Sequence, residues 1–181
     1  HSHSHSHEDK HDHGHASSKT TEIETDVLQE NNLIAERNRG FFQAKGLFVL
    51  NLVSSPGSGK TTLLEQTITS LMDELRFWVI EGDQQSMQDA DRIDRIGVEV
   101  VQVNTGKGCH LDARMVNQSF GKFDFNEPGA LMIENVGNLV CPSLFDLGEH
   151  HKVVIISVTE GEDKPMKYPN MFAESDICII N

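Results

Sequence analysis

Nine consecutive residues, Ser54-Ser55-Pro56-Gly57-Ser58-Gly59-Lys60-Thr61-Thr62, hold the densest chemistry in this 181-residue chain. An apolar run, 47–53, leads into them and a helix-like run, 60–75, leads out. Strand, glycine-rich turn and helix is the context in which successive backbone N–H groups line a concave turn and accept phosphate oxygens. The helix N-terminus adds partial positive charge at the same point. Gly57 and Gly59 let the backbone approach an anion with no Cβ in the way. On this reading Ser55, Pro56, Gly57, Ser58, Gly59, Lys60, Thr61 and Thr62 bind a nucleotide. Lys60 reaches the β/γ-phosphates as the catalytic cation, and the Thr61 hydroxyl ligates Mg²⁺. The pattern G-x-x-x-x-G-K-[ST] departs at its first position, where Ser54 replaces glycine. The plain alternative is an ordinary Gly/Ser turn.

Other strand ends carry further candidates. Run 77–81 ends in Glu81-Gly82-Asp83. An acid on the same rim as a phosphate loop, here Asp83, can hold Mg²⁺ through water or orient an attacking water. Taken alone, it could as well cap a helix. Run 130–134 ends in Glu134-Asn135-Val136-Gly137. Gly137 could offer its N–H to a γ-phosphate while Glu134 senses Mg²⁺, as in loops ordered by that phosphate and released on hydrolysis. A turn that needs glycine for its conformation fits equally well. Cys109-His110 and Cys141 follow the candidate strands 98–103 and 130–134. Two thiolates and an imidazole suit Zn²⁺ or Ni²⁺. Three ligands leave a tetrahedron one short, and water, another residue or a second copy across a two-fold axis could complete it. On the residues alone, an unrelated pair of cysteines and a chance histidine is the simpler account. Cys178 reads as core, and His150-His151 as surface.

Residues 1–20 contain seven of the ten histidines: His1, His3, His5, His7, His11, His13 and His15. With no apolar residue larger than Ala16, this stretch cannot offset its ordering entropy and reads as a disordered tail. Its imidazoles suit Ni, Zn or Cu. Interleaved Ser, Asp and Gly favour a natural metal-binding tail over a purification tag.

These candidates need a scaffold. Residues 22–44 show helical spacing of Ile23, Val27, Leu28, Ile34, Phe41 and Phe42, a face expected to pack on the domain, with Gly46 ending the helix. Beyond it, strand candidates 47–53, 77–81, 98–103, 130–134, 152–158 and 176–180 alternate with helix candidates 60–75, 86–96, 110–120 and 165–174. This alternation predicts an α/β fold, a mostly parallel sheet with helices on both faces and ligands at the carboxyl ends of the strands. The expected organisation is a tail at 1–20, a helix at 21–46 and a nucleotide-binding domain at 47–181. A net charge of −13 argues against nucleic acid and against anionic membranes as partners. No apolar run approaches the ~20 residues of a membrane span. Three cysteines predict thiol or metal chemistry in a reducing, cytoplasmic compartment rather than disulfides. The chain begins at His1 rather than Met, so a preceding segment could be missing.

Five stretches together resemble the HypB group of nickel-insertion GTPases, within the wider HypB/UreG/CobW-type P-loop proteins. They are NLVSSPGSGKTTLL (51–64), VIEGDQQ (79–85), QVNTGKGCHLDA (102–113), IENVGNLVCPSLFDLGEHHKV (133–153) and SVTEGEDKPMKYPNMF (157–172). The resemblance implies a P-loop NTPase of SIMIBI type that hydrolyses GTP with Mg²⁺ and works as a homodimer. It also implies partnership with the [NiFe]-hydrogenase large subunit and a nickel-maturation accessory protein. By motif, Gly57 to Thr62 hold phosphates and Mg²⁺, Asp83 and Glu134 line the γ-phosphate region, and Cys109, His110 and Cys141 are interface ligands for Ni²⁺ or Zn²⁺. The His-rich tail matches tails that imply nickel storage or delivery. Asn181 fits the first residue of the guanine-reading Asn-Lys-x-Asp motif, of which the chain holds no more. No arginine finger is identifiable, so slow turnover is expected. Two alternatives are a nickel storage protein with a regulatory nucleotide domain and a urease-type nickel-insertion GTPase.

Overall fold

In the computed structural model, which describes residues 14–83 and 88–181, the apolar runs become six strands. They are β1 (Leu47–Ser54), β2 (Phe77–Asp83), β3 (Glu99–Asn104), β4 (Gly129–Glu134), β5 (His151–Ile156) and β6 (Ile177–Ile180). All pair in parallel, in the order β3-β2-β4-β1-β5-β6. The helices are α1 (Gly14–Lys45), α2 (Lys60–Leu71), α3 (Gln88–Asp94), α4 (Ala113–Ser119), α5 (Lys164–Lys167) and α6 (Pro169–Ala173).

Both sheet faces are covered, which is why β2 and β4 are buried along almost their whole length. One core joins Phe42 of α1 and Val116 of α4 to Val49, Trp78, Ile80, Leu131 and Ile133. The other joins Leu64 and Ile68 of α2 and Ile93 of α3 to Leu52, Val79, Met132 and Ile155. The predicted α/β layering is therefore present, with β1, the strand that leads into the phosphate-loop motif, between β4 and β5.

Several boundaries differ from the sequence reading. Residues 14–20, expected in the disordered tail, continue α1 toward its start at Gly14. The expectation for His1, His3, His5, His7, His11 and His13 falls outside the described residues, whereas His15 lies within α1. Gly46, at φ +65°, ends α1 as expected. The buried stripe of α1 is Asn31, Ala35, Asn38 and Phe42, while Val27 is exposed. Phe42 of the expected face is buried and Phe41 packs against the core, but the rest of the buried stripe contains two asparagines in place of the expected aliphatic residues. β2 extends to Asp83, so Glu81 is a buried strand residue. The helix expected over 110–120 begins only at Ala113, capped by the Asp112 carboxylate, which accepts from Met115 N at 2.7 Å. His110 is thereby left in the loop. The helix expected over 165–174 splits into α5 and α6 because Pro169 has no N–H and pushes Tyr168 out of helical geometry (φ −126°, ψ 52°). Cys178, expected in the core, is exposed on the edge strand β6.

Candidate nucleotide and metal sites

The turn between β1 and α2 bounds a cleft of about 530 Å³. Ser54 through Thr62 line it, joined by Asp83, Asp89, Arg92, Val136 and Gly137. Every residue expected to bind phosphate within 55–62 lies on this wall, as do Asp83 and Gly137. Gly57 and Gly59 both adopt positive φ, 78° and 88°. A Cβ on Gly59 would also collide with the Asn181 side-chain amide, which donates to Ser58 O at 2.9 Å. Asn181 is thereby tied to the outer wall of the loop. At Gly137 a Cβ would stand 3.1 Å from Pro56 Cγ, so the loop after β4 packs directly on the phosphate-loop motif. Lys164 Nζ donates to Ser55 Oγ at 3.4 Å.

Glu134 is the electrostatic centre of the floor. Its Oε1 accepts from Lys60 Nζ and from Thr61 Oγ1, each at 2.6 Å, and the residue is fully buried. Glu81 is its register partner on β2. Oxygens of Glu81, Asp89 and Glu134 lie within 4.8 Å of one another. Burial, then the charge of Glu134, pushes the Glu81 carboxyl far up, to about 10. Burial alone would raise Glu134 too, but Lys60, the hydrogen bond from Glu81 and the Thr61 hydroxyl together hold it below the usual carboxylate range. The two shifts run in opposite directions, burial favouring the protonated form of Glu81 while Lys60 and Thr61 favour the charged form of Glu134. Glu81 Oε2, Glu134 Oε2 and Ser58 Oγ have no hydrogen-bond partner among the described residues. These orphaned buried oxygens beside the Thr61 hydroxyl fit a divalent cation and a phosphate.

Sequence reasoning missed Asp89 and Arg92 on the wall of this cleft and the buried Glu81 beside Asp89. Glu81 follows the apolar run of β2 and Glu134 ends that of β4, and the pairing of β2 with β4 is what joins them. Arg92 is held by Glu65, by Thr62 Oγ1 at 3.1 Å and by Asp89 at 3.5 Å. This cation lines the cleft where no arginine was expected.

The second cluster lies where the loops after β3 and β4 meet. Ligand atoms of Cys109, His110 and Cys141 all fall within 4.8 Å of one another. The expectation of free thiols is corrected: Cys109 and Cys141 form a disulfide, with Cα atoms 6.4 Å apart. The loops converge so closely that the sulfurs can bond, and the same convergence makes a thiolate pair available on reduction. His110 Nδ1 is 3.7 Å from Cys109 Sγ, and its ring stacks on Phe145 at 4.0 Å. Partial burial lowers the His110 pKa, against a weaker opposing pull from Asp112. The neutral imidazole that ligates metals is therefore favoured. Lys152, buried on β5, donates to Pro142 O at 3.1 Å and to Ser143 O and Phe145 O at 3.4 Å, anchoring the Cys141 turn. Val140 and Leu144 on that turn are 57% and 55% exposed.

Asn135 lies between the two clusters. Its Oδ1 accepts from Leu111 N and Val136 N, both at 3.0 Å, and its Nδ2 donates to Asn51 Oδ1 at 3.2 Å. Asn51 in turn donates to Glu149 Oε1 at 2.9 Å, and Glu149 Oε2 accepts from Leu147 N at 2.7 Å. A buried polar chain thus runs from the residue after His110, through the residue after Glu134, to the loop before β5.

Comparison with known proteins agrees with this architecture. A family profile described as "CobW/HypB/UreG, nucleotide-binding domain" matches residues 48–181. Hydrogenase maturation factor HypB of Escherichia coli K12 is 59% identical over 160 residues, covering 88% of this chain and 55% of the relative. The chain thus spans about half the length of that curated relative. A crystal structure of HypB from Helicobacter pylori in complex with nickel superposes with a TM-score of 0.79 at 44% identity, covering 83% of this chain and 71% of the other. The signal recognition particle receptor FtsY of Elizabethkingia anophelis, at 16% identity and a TM-score of 0.53, covers 83% of this chain and 57% of the other and shares the fold alone.

Proposed function

The chain belongs to the HypB group of the CobW/HypB/UreG family, and from that premise we propose that it hydrolyses GTP to control the binding and release of nickel during hydrogenase maturation. The observation that carries the reading is the adjacency of Glu134 and Asn135. One receives Lys60 and Thr61, and the next holds the backbone beside His110.

Phosphate would be received by the backbone N–H groups of 57–62, with Lys60 neutralising charge that develops on the phosphoryl oxygens. Thr61, Asp83 and Glu134 would hold Mg²⁺, which supplies further charge neutralisation when bound. Lys60 and Thr61 must exchange their bonds to Glu134 for bonds to the incoming group. Glu81, in its protonated form, keeps the buried carboxylate pair at a single negative charge during that exchange. Asp83 lines the cleft and orients water toward the phosphate. Gly137 offers its N–H from the opposite wall. Guanine, rather than adenine, is the proposed base, with Asn181, which abuts the phosphate-loop motif, contributing to its recognition.

Cys109, His110 and Cys141 would take Ni²⁺ or Zn²⁺ as cargo once the thiols are reduced. The exposed Val140 and Leu144 beside Cys141 support a homodimer that buries this face and completes the ligand set. The hydrogenase large subunit and a nickel-maturation accessory protein are the proposed acceptor and donor. Tail histidines would raise local nickel concentration.

The test has two parts. Lys60→Ala should abolish GTP hydrolysis in the full chain, and normal turnover would overturn the nucleotide assignment. Mg²⁺·GTP should shift Ni²⁺ affinity at the cysteine site, and Asn135→Ala should remove that shift while sparing hydrolysis. An unchanged shift in Asn135→Ala would refute the coupling.

A further inference from the structure

The same two side chains of α1 grip the start of α4, which follows the Cys109-His110 loop, and the end of the Cys141 loop. Asn31 Oδ1 accepts from Ala113 N at 2.9 Å, and Asn31 Nδ2 donates to Asp146 O at 2.8 Å. Asn38 Nδ2 donates to Ala113 O at 2.9 Å and to Leu147 O at 3.0 Å. Ala113 is thus held at its backbone N–H by one asparagine and at its backbone C=O by the other. Ala113 follows His110 by three positions, and Asp146 and Leu147 close the loop that begins at Cys141.

Each asparagine therefore spans from the start of α4, just after the Cys109-His110 loop, to the Cys141 loop. Both residues are buried, at 6% and 0% exposure. Their places in the stripe Asn31, Ala35, Asn38, Phe42 are ones that an apolar side chain would ordinarily take. Burying an amide without partners is costly, and among the described residues every side-chain bond but one, from Asn117 Nδ2 to Asn38 Oδ1, goes to the start of α4 or to the Cys141 loop. The packing is tight as well. A Cβ on Gly148 would stand 2.6 Å from Ala35 O, and Arg39 donates to Glu149 O at 2.8 Å and pairs with Asp146 at 2.6 Å.

We infer that Asn31 and Asn38 are positioning residues that set the separation of the two halves of the Cys109–His110–Cys141 metal site, making α1 a clamp on that site. The inference rests on the metal reading proposed above. Outer contacts that orient ligands commonly govern metal affinity by about 10–100-fold. Neither asparagine lines the nucleotide cleft, so the effect should be confined to the metal.

The experiment titrates Co²⁺ into the full chain, reduced and in a Cys178→Ser background. The thiolate-to-cobalt charge-transfer band is followed, which the tail imidazoles do not produce. Asn31→Ala and Asn38→Leu should lose about 10–100-fold in Co²⁺ affinity, with GTP affinity held within about twofold. Asn31→Asp keeps the acceptor for Ala113 N and loses the donor to Asp146 O. It should fall between parent and Asn31→Ala, and it carries the test where Asn38→Leu does not fold. Asn117→Ala removes a bond from Asn38 without touching either loop, and should titrate like the parent. Parent-like titration in the Asn31 and Asn38 variants overturns the inference. So does a loss in Asn117→Ala as large as theirs, since that would be general destabilisation. A parent chain with no thiolate band would instead refute the metal reading itself.

Discussion

Glu81 shows how far one buried proton can reach. Its carboxyl holds that proton to about pH 10, against an ordinary value of 4.5. The stability this contributes is fully present below about pH 4.5 and is lost as pH rises toward about 10. Glu81→Gln keeps a hydrogen-bond donor toward Glu134 and removes the titration. We expect the variant to gain stability relative to the parent as pH rises, the difference growing steadily from pH 5 to pH 9. Chemical denaturation across that range measures it, and parallel pH profiles would refute it. The residue was invisible as a site in the sequence because its meaning depends on register. Only the pairing of Glu81 with Glu134 across β2 and β4 makes two ordinary acids into one hydrogen-bonded unit. The place of Lys60 and Thr61 on the cleft wall, by contrast, was legible at once, because a local turn sets it without help from distant residues.

At the scale of elements, the strands were readable because a sheet covered on both faces demands continuous apolar runs, and the chain supplies few others. The helices were less so. α1 hides its inner face behind Asn31 and Asn38, which hydropathy counts as polar although they are buried and bonded. The break between α5 and α6 needed only Pro169 to be weighed against its neighbours. The loop that brings Asp146 and Leu147 beneath α1 turns at Gly148, whose φ of +91° and lack of space exclude a side chain. Gly148→Ala should therefore cost about 2–4 kcal/mol through backbone strain and overlap with the Ala35 carbonyl. An unfolding free energy within 0.5 kcal/mol of the parent, roughly the scatter of neutral surface changes, would contradict that packing argument.

For the whole molecule, the two clusters impose opposite demands on their surroundings. The cleft at the phosphate-loop motif combines buried carboxylates with a cation, whereas the cysteine cluster, on the metal reading proposed above, requires sulfurs that can be reduced. With Cys109 and Cys141 joined, we expect a thiolate–nickel band only after treatment with a reductant. Deleting residues 1–13 should lower the total bound nickel while leaving that band intact. A band of equal strength in oxidised protein would contradict the first expectation, and its loss on deletion the second. Substituting both Val140 and Leu144 with Ser should weaken metal-dependent self-association in sedimentation experiments, while unchanged association would move the interface elsewhere.

The central place of β1 has a consequence for how the chain is made. Both its neighbours, β4 and β5, lie far downstream, and the Asn51–Asn135 bond spans 84 positions. At the usual pace of synthesis, the strand that leads into the phosphate-loop motif waits roughly 4–16 s for the first of its neighbours to be made. Throughout that interval an apolar strand with both edges unpaired is open to wrong partners. β2 and β3, close in sequence, can pair much earlier. The position that makes β1 the best support for the cleft also makes it the last of the early strands to be secured, so folding yield in the cell should depend on whatever shields it during that delay.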